Sequence, residues 1–197
     1  MEWRECFDRQ PRRYRVGNGC SFGVQHADLI FKTLELGTGN CFLDAGCGPG
    51  EYALLAAELV GETGAVIALD RDPYMIQQLQ LAAKDSPATN ISSLVAELGA
   101  PLPLQDRLAD VCLISSVLHM PGLDDRWDVL FTELHRVLRH KGRLGIIESH
   151  KTGVSSDLPL HLRLTPETIA TEIKPYGFEK RGLVDLSFSS LVLFEKY

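Results

Sequence analysis

Phe42-Leu43-Asp44-Ala45-Gly46-Cys47-Gly48-Pro49-Gly50 places three glycines at alternate positions between a short apolar run and a helical pattern. Such spacing builds a tight strand-to-helix turn whose backbone comes very close to a ligand. Twenty residues after Gly50, Asp70 ends a second apolar run, Ala65-Val66-Ile67-Ala68-Leu69. A carboxylate at that position is placed to accept hydrogen bonds from a ribose diol. The two features together predict a nucleotide-type site on an α/β fold.

The pattern around this turn is regular. Ala27, Ile30, Phe31 and Leu34 recur at helical spacing and stop at Gly37. Strands are expected at 41–45, 65–69, 91–96, 110–115 and 143–148, and a helix at 51–60. Asp72 caps a further helix with Pro73 at its first position and Met75, Ile76, Leu79, Ala82 and Ala83 on its apolar face. Pro101 and Pro103 mark a loop, Trp127, Leu130, Phe131, Leu134, Val137 and Leu138 form a helical stripe, and Lys141-Gly142 is a turn. Short, nearly continuous apolar strands alternating with helices specify a parallel sheet covered on both faces. After a helix that starts at Thr165-Pro166, two strand-like runs at 178–185 and 190–196 are joined by only a few residues, so they must be antiparallel. The expected fold is α/β, a Rossmann-like doubly wound, mostly parallel seven-stranded sheet with one antiparallel strand near the C-terminus. Residues 1–24 read as an N-terminal arm or lid, and 25–197 as a single domain.

Composition narrows the function. The chain has 197 residues, 45% of them hydrophobic, and a formal net charge of −6. An acidic balance argues against a nucleic-acid partner, and no apolar run is long enough for a membrane span. The N-terminus shows no segment of signal-peptide type, so a cytoplasmic location is expected. Five cysteines form neither a CxxC pair nor a zinc spacing, as suits free thiols in a reducing compartment.

The glycine spacing then separates ligands. A dinucleotide fingerprint is GxGxxG, whereas this turn is GxGxG with Glu51 directly after Gly50. A carboxylate at that helix opening suits the dipole and would repel a diphosphate. S-adenosyl-L-methionine carries adenosine, no phosphate and an amine, and matches better.

The chain resembles the class I S-adenosylmethionine-dependent methyltransferases, in the small-molecule branch that includes quinone-biosynthesis enzymes. The resemblance is carried by residues 43–50, Val66-Ile67-Ala68-Leu69-Asp70, Val95-Ala96-Glu97-Leu98 with Pro103, Ala109-Asp110-Val111-Cys112-Leu113, and 134–144. It covers about residues 25–150. It implies that Asp44, with the backbone of Gly46 and Gly48, holds the methionine amine and carboxylate. Asp70 would bind the ribose hydroxyls, Arg71 would lie along the adenine, and Glu97 would accept the adenine amine beside the Leu98 backbone. Aspartate is more usual at the Glu97 position. Ser115 would line the methionine side. Asp110 begins its strand at the opposite end of the sheet and is expected to be structural. The product would be S-adenosyl-L-homocysteine.

Methyl transfer from a sulfonium needs alignment and dryness, and a base only where the acceptor must lose a proton. His119, four residues after Ser115, and His150, two after Glu148, are the candidate catalytic residues, since histidine exchanges protons near neutral pH. Hydrogen bonding to the cofactor or helix capping is the rival role for both. Glu148, His150 and His119 could form a 2-His-1-carboxylate set, but nothing in the sequence orders them in space, and no metal is expected. In the arm, Arg12 and Tyr14 are candidates to grip a small-molecule acceptor. Residues 149–164 make a short roof, open to a second copy or a protein partner. A catalytically silent cofactor-binding subunit is the alternative of a different class, and a nucleotide-dependent oxidoreductase a third.

Overall fold

The computed structural model describes residues 26–149, 164–187 and 189–197. The arm with Arg12 and Tyr14, His150, and nearly all of the expected roof lie outside the described residues. Among the described residues five α-helices, α1 (Ala27–Thr33), α2 (Glu51–Val60), α3 (Pro73–Lys84), α4 (Trp127–Val137) and α5 (Pro166–Ile173), pack on one sheet. Its strands are β1 (Cys41–Ala45), β2 (Ala65–Asp70), β3 (Ile91–Val95), β4 (Ala109–Ser115), β5 (Leu138–Ser149), β6 (Phe178–Asp185) and β7 (Ser189–Lys196). None of the described helices is long and apolar enough to cross a membrane.

The strand order is β3-β2-β1-β4-β5-β7-β6. β1 to β5 pair in parallel, and β7 runs antiparallel to both β5 and β6. β7 is therefore the one reversed strand expected from the short final connection. Strand order reverses between β1 and β4, and their carboxyl ends open a crevice there.

Alternation along the strands explains why both faces are covered. Phe42, Val66, Ala68, Val111 and Leu113 pack with α1, α2 and α3, whereas Leu43, Ala45, Leu69, Cys112 and Ile114 pack with α4 and α5. α2 presents Ala53, Ala56, Ala57 and Val60 at helical spacing, and these small side chains let it lie close on the sheet. Phe131 anchors the other layer, edge-on to Trp127 and stacked with Tyr176. Asp72 caps α3, its carboxylate accepting from the Tyr74 N–H at 2.8 Å with Pro73 at the first helical position, as read from the sequence.

β5 starts five residues earlier than expected. Leu138 pairs with Ala109, and the ladder resumes only at Arg143 opposite Val111. The expected turn at Lys141-Gly142 is thus a bulge inside one strand, with Lys141 left-handed at φ +60°. Beside it, Asp110 accepts from the Cys41 N–H at 2.7 Å and from Arg139 at 2.6 Å. That ties the amino ends of β1, β4 and β5 together, far from the crevice, in the structural role expected of Asp110.

Candidate functional site

All three turn glycines are left-handed, with φ of +83° at Gly46, +52° at Gly48 and +91° at Gly50. Their surroundings differ. A Cβ on Gly46 would lie 2.4 Å from Val117 Cγ2, and one on Gly50 would lie 2.2 Å from Leu79 Cδ1. A Cβ on Gly48 would meet nothing within 4 Å. The middle glycine faces open space while its neighbours are packed against protein.

The turn is fixed by β2. The N–H groups of Gly46 and Cys47 both donate to the Leu69 carbonyl at 2.8 Å. Asp70 accepts from the Gly48 N–H at 2.8 Å through Oδ2 and from the Asp72 N–H at 2.9 Å through Oδ1. Each carboxylate oxygen keeps a further lone pair for a ligand hydroxyl. The Gly46 and Gly48 N–H groups are already engaged, so the turn offers a ligand its carbonyls and the space beside Gly48.

Asp44, at the end of β1, is 2% exposed. Burial pushes its carboxyl up to about 7, a hydrogen bond with the backbone of Ala53 opposes this, and the charge of Asp70 adds to it. Among the described residues its Oδ2 has no hydrogen-bond partner, and no basic side chain forms an ion pair with Asp44 or Asp70. A buried acceptor without a donor is costly, and a ligand ammonium would satisfy it. Beside it, burial lifts the Tyr52 phenol to about 12, with Ser115 opposing the rise and the charges of Asp44 and Glu51 adding to it. Sequence reasoning missed Tyr52, whose one signal is an aromatic residue two places after the last glycine. Burial also raises the carboxyl of Glu51.

The adenine side follows β3. The Ala96 N–H donates to the Asp70 carbonyl at 2.9 Å, bringing the segment with Glu97 and Leu98 alongside Asp70. Arg71 and Glu97 are exposed, whereas Leu98 is buried.

On the other side of the crevice, the loop after β4 winds around Glu148. Ser116 is left-handed at φ +57°, and the N–H groups of Val117 and Leu118 donate to Glu148 Oε1 at 3.0 and 2.8 Å. Oε2 lies 2.8 Å from His119 Nδ1. Glu148 is 2% exposed, and the His119 side chain 20%. The hydrogen bond to Glu148 raises the histidine pKa, burial opposes, and the Glu148 charge adds to the rise. The sequence grouped His119 and Glu148 only as candidate metal ligands on one rim, not as a hydrogen-bonded pair. Among the described residues no group of three His, Cys, Asp or Glu side chains could share a metal ion. The 2-His-1-carboxylate set also needs His150, which lies outside them.

The structure thus brings Asp44, Gly46, Gly48, Asp70, Ser115 and His119 to the carboxyl ends of β1, β2 and β4, with Glu97 and Leu98 at the end of β3. Known proteins share this frame. The structure of a SAM-dependent methyltransferase from Aquifex aeolicus superposes with a TM-score of 0.77 at 22% identity, over 86% of this chain and 88% of that one, a likeness of fold. A demethylmenaquinone methyltransferase of Lactobacillus johnsonii is 31% identical over 145 residues, 71% of this chain and 57% of the relative. An arsenite methyltransferase of Halobacterium salinarum is 30% identical over 131 residues, 66% of this chain. The chain spans 32% of that relative's length, so both curated relatives extend well beyond the shared part. A family described as "Methyltransferase domain" matches residues 43–146, more than half of the sequence and all of the crevice from Asp44 to the middle of β5. The chain belongs to this methyltransferase domain family.

Proposed function

We propose that the protein is an S-adenosyl-L-methionine-dependent methyltransferase acting on a small-molecule acceptor. The observation that carries this is the unpartnered, buried Oδ2 of Asp44 next to the open face of Gly48. The pair asks for a cation close to a stretch of backbone left open for a ligand. An ammonium group satisfies both conditions, and a diphosphate satisfies neither beside Asp44, Asp70 and Glu51.

When bound, the cofactor supplies an electrophilic methyl group on a sulfonium whose thioether leaves without protonation. The residues do the rest. Asp44 takes the amine, and Asp70 uses its free lone pairs for the ribose hydroxyls. Glu97 and the Leu98 backbone receive the adenine, with Arg71 along its face, and Ser115 walls the methionine side. His119 stands at the acceptor end. Rate acceleration comes from holding donor and acceptor in line and excluding water. The acceptor names of the curated relatives, a menaquinone precursor and arsenite, support a small molecule.

Calorimetric titration with S-adenosyl-L-methionine, S-adenosyl-L-homocysteine and NAD tests the reading. Both sulfur ligands should bind, and Asp70→Ala should weaken them by about tenfold or more, as expected for loss of charged hydrogen bonds. Binding of NAD alone would overturn the proposal. Transfer of labelled methyl to an extract separates an enzyme from a silent cofactor-binding subunit.

A further inference from the structure

We infer that Glu148 and His119 form a proton-accepting dyad, so that the acceptor is one that must lose a proton as it is methylated: a phenolic or enolic hydroxyl, or the activated C–H beside it. This rests on the methyltransferase reading and names the substrate class of the same crevice. The argument starts from Glu148. Three N–H donors converge on its buried carboxylate: Val117 and Leu118 from the backbone, and His119 from Nδ1. A carboxylate here supplies acceptors only, so the neutral imidazole must carry its proton on Nδ1. Its lone pair is then on Nε2. Among the described residues Nε2 has no partner, and the ring is partly exposed.

The loop is built to hold this arrangement. Ser116 takes a left-handed backbone that costs a non-glycine residue about 1 kcal/mol, and the turn aims two successive N–H groups at one carboxylate oxygen. A histidine that served only as a helix cap would need no such anchor. Among the described residues Glu148, from β5, is the charged group that faces His119; Ser115 and Ser116, from β4 and its loop, are neutral. In the reaction the acceptor's O–H or C–H bond breaks, its proton passes to His119 Nε2, and the freed electron pair bonds the methyl carbon. The carbon–sulfur pair stays on sulfur. Glu148 holds the imidazolium until the proton leaves to solvent. His119 touches the acceptor, and Glu148 is a positioning residue acting through it.

Glu148→Gln provides the test, because the amide can still accept from Val117 and Leu118 while its NH2 faces Nδ1. That donor forces the histidine proton onto Nε2 and removes the outward lone pair. Long-range nitrogen–proton NMR on the ligand-free protein should show the Nδ1–H tautomer in the wild type and Nε2–H in the variant. Two probes then separate acceptor classes: 1,4-naphthalenediol, whose hydroxyls are protonated at about pH 8, and thiophenol, which is largely ionised there. Diol methylation should fall about 10²- to 10⁴-fold in Glu148→Gln and in His119→Ala, with no further loss in the double variant. Its rate should rise with pH through a histidine value above the ordinary one in the wild type only. Methylation of thiophenol alone would overturn the dyad and leave the methyltransferase standing. No methyl transfer to either probe would count against both, and an Nε2–H wild type would sink the dyad by itself.

Discussion

Asp44 joins two opposed demands in one side chain. It is buried with one oxygen unpartnered, and its carboxyl moves from an ordinary 3.8 to about 7. Because the folded value is raised, the stability that this group contributes is full below 3.8 and is lost as pH rises through about 7. At higher pH the ionised group costs the ligand-free fold up to roughly 4 kcal/mol. Asp44→Asn should therefore stabilise the free protein in urea at about pH 8 by a few kcal/mol, with the gain vanishing near pH 4. The same variant should bind S-adenosyl-L-methionine about a hundredfold more weakly, through loss of a buried charge pair. A variant less stable than the wild type at the higher pH would mean that the ionised group has a partner. His119 titrates in the same sense, since Glu148 raises it: its contribution is present below the ordinary histidine value and lost above the raised one. Glu148 itself was legible only as a rim carboxylate and as a candidate metal ligand beside His119 and His150. Its partners lie 29 to 31 residues away in sequence, and nothing local announces them.

At the scale of the element, the glycine turn separates stability from binding within five residues. Gly50→Ala drives a Cβ to 2.2 Å from Leu79 Cδ1 at φ +91°. Overpacking and backbone strain together should cost about 2–4 kcal/mol in urea unfolding. Gly48→Ala meets nothing within 4 Å at φ +52°, so its cost is the left-handed strain alone, about 1–2 kcal/mol. Its methyl group would stand where the ligand must, and affinity measured by calorimetry should drop at least tenfold. Equal stability losses with unchanged affinity in Gly48→Ala would place the ligand elsewhere. The turn was readable in the sequence because positive φ is a local demand that glycine meets. The start of β5 was not, since Leu138 joins the strand only through Ala109, across a four-residue bulge. β3 ends at Val95, one residue early, where the Asp70 carbonyl takes the ladder's last bond from the Ala96 N–H.

Over the whole molecule, alternation made the two-faced sheet legible. Phe42 and Leu43, or Leu113 and Ile114, go to opposite layers in a run that is apolar throughout. Less visible was the closure at the far end of the sheet. Lys196 Nζ donates to the carbonyls of His135 and Leu138, capping α4 from β7. His135 lies edge-on to Phe178, and its Nε2 is buried without a partner among the described residues. Burial lowers its pKa, the Lys196 charge adds to that, and a bond with the Tyr197 backbone opposes it. The unfolded chain therefore binds the proton more readily. Stability from this site is present above the ordinary histidine value and lost as pH falls through it toward the lowered one. His135→Phe keeps a ring against Phe178 and cannot titrate, so its urea midpoint should fall less than that of the wild type between about pH 7 and pH 5. Parallel slopes would remove His135 as the acid-sensitive group.

The reversed strand has a bearing on how the chain is made. β7 lies between β5 and β6, yet both of those strands precede it in sequence. As the polypeptide leaves the ribosome, β5 carries Leu144, Ile146 and Ile147 along an edge whose hydrogen-bonding partner comes only after α5 and β6. Through that interval the nascent protein exposes an unsatisfied, apolar strand of the kind that templates association with other chains. Translation of β7 ends the exposure in one step, because a single strand closes against both neighbours.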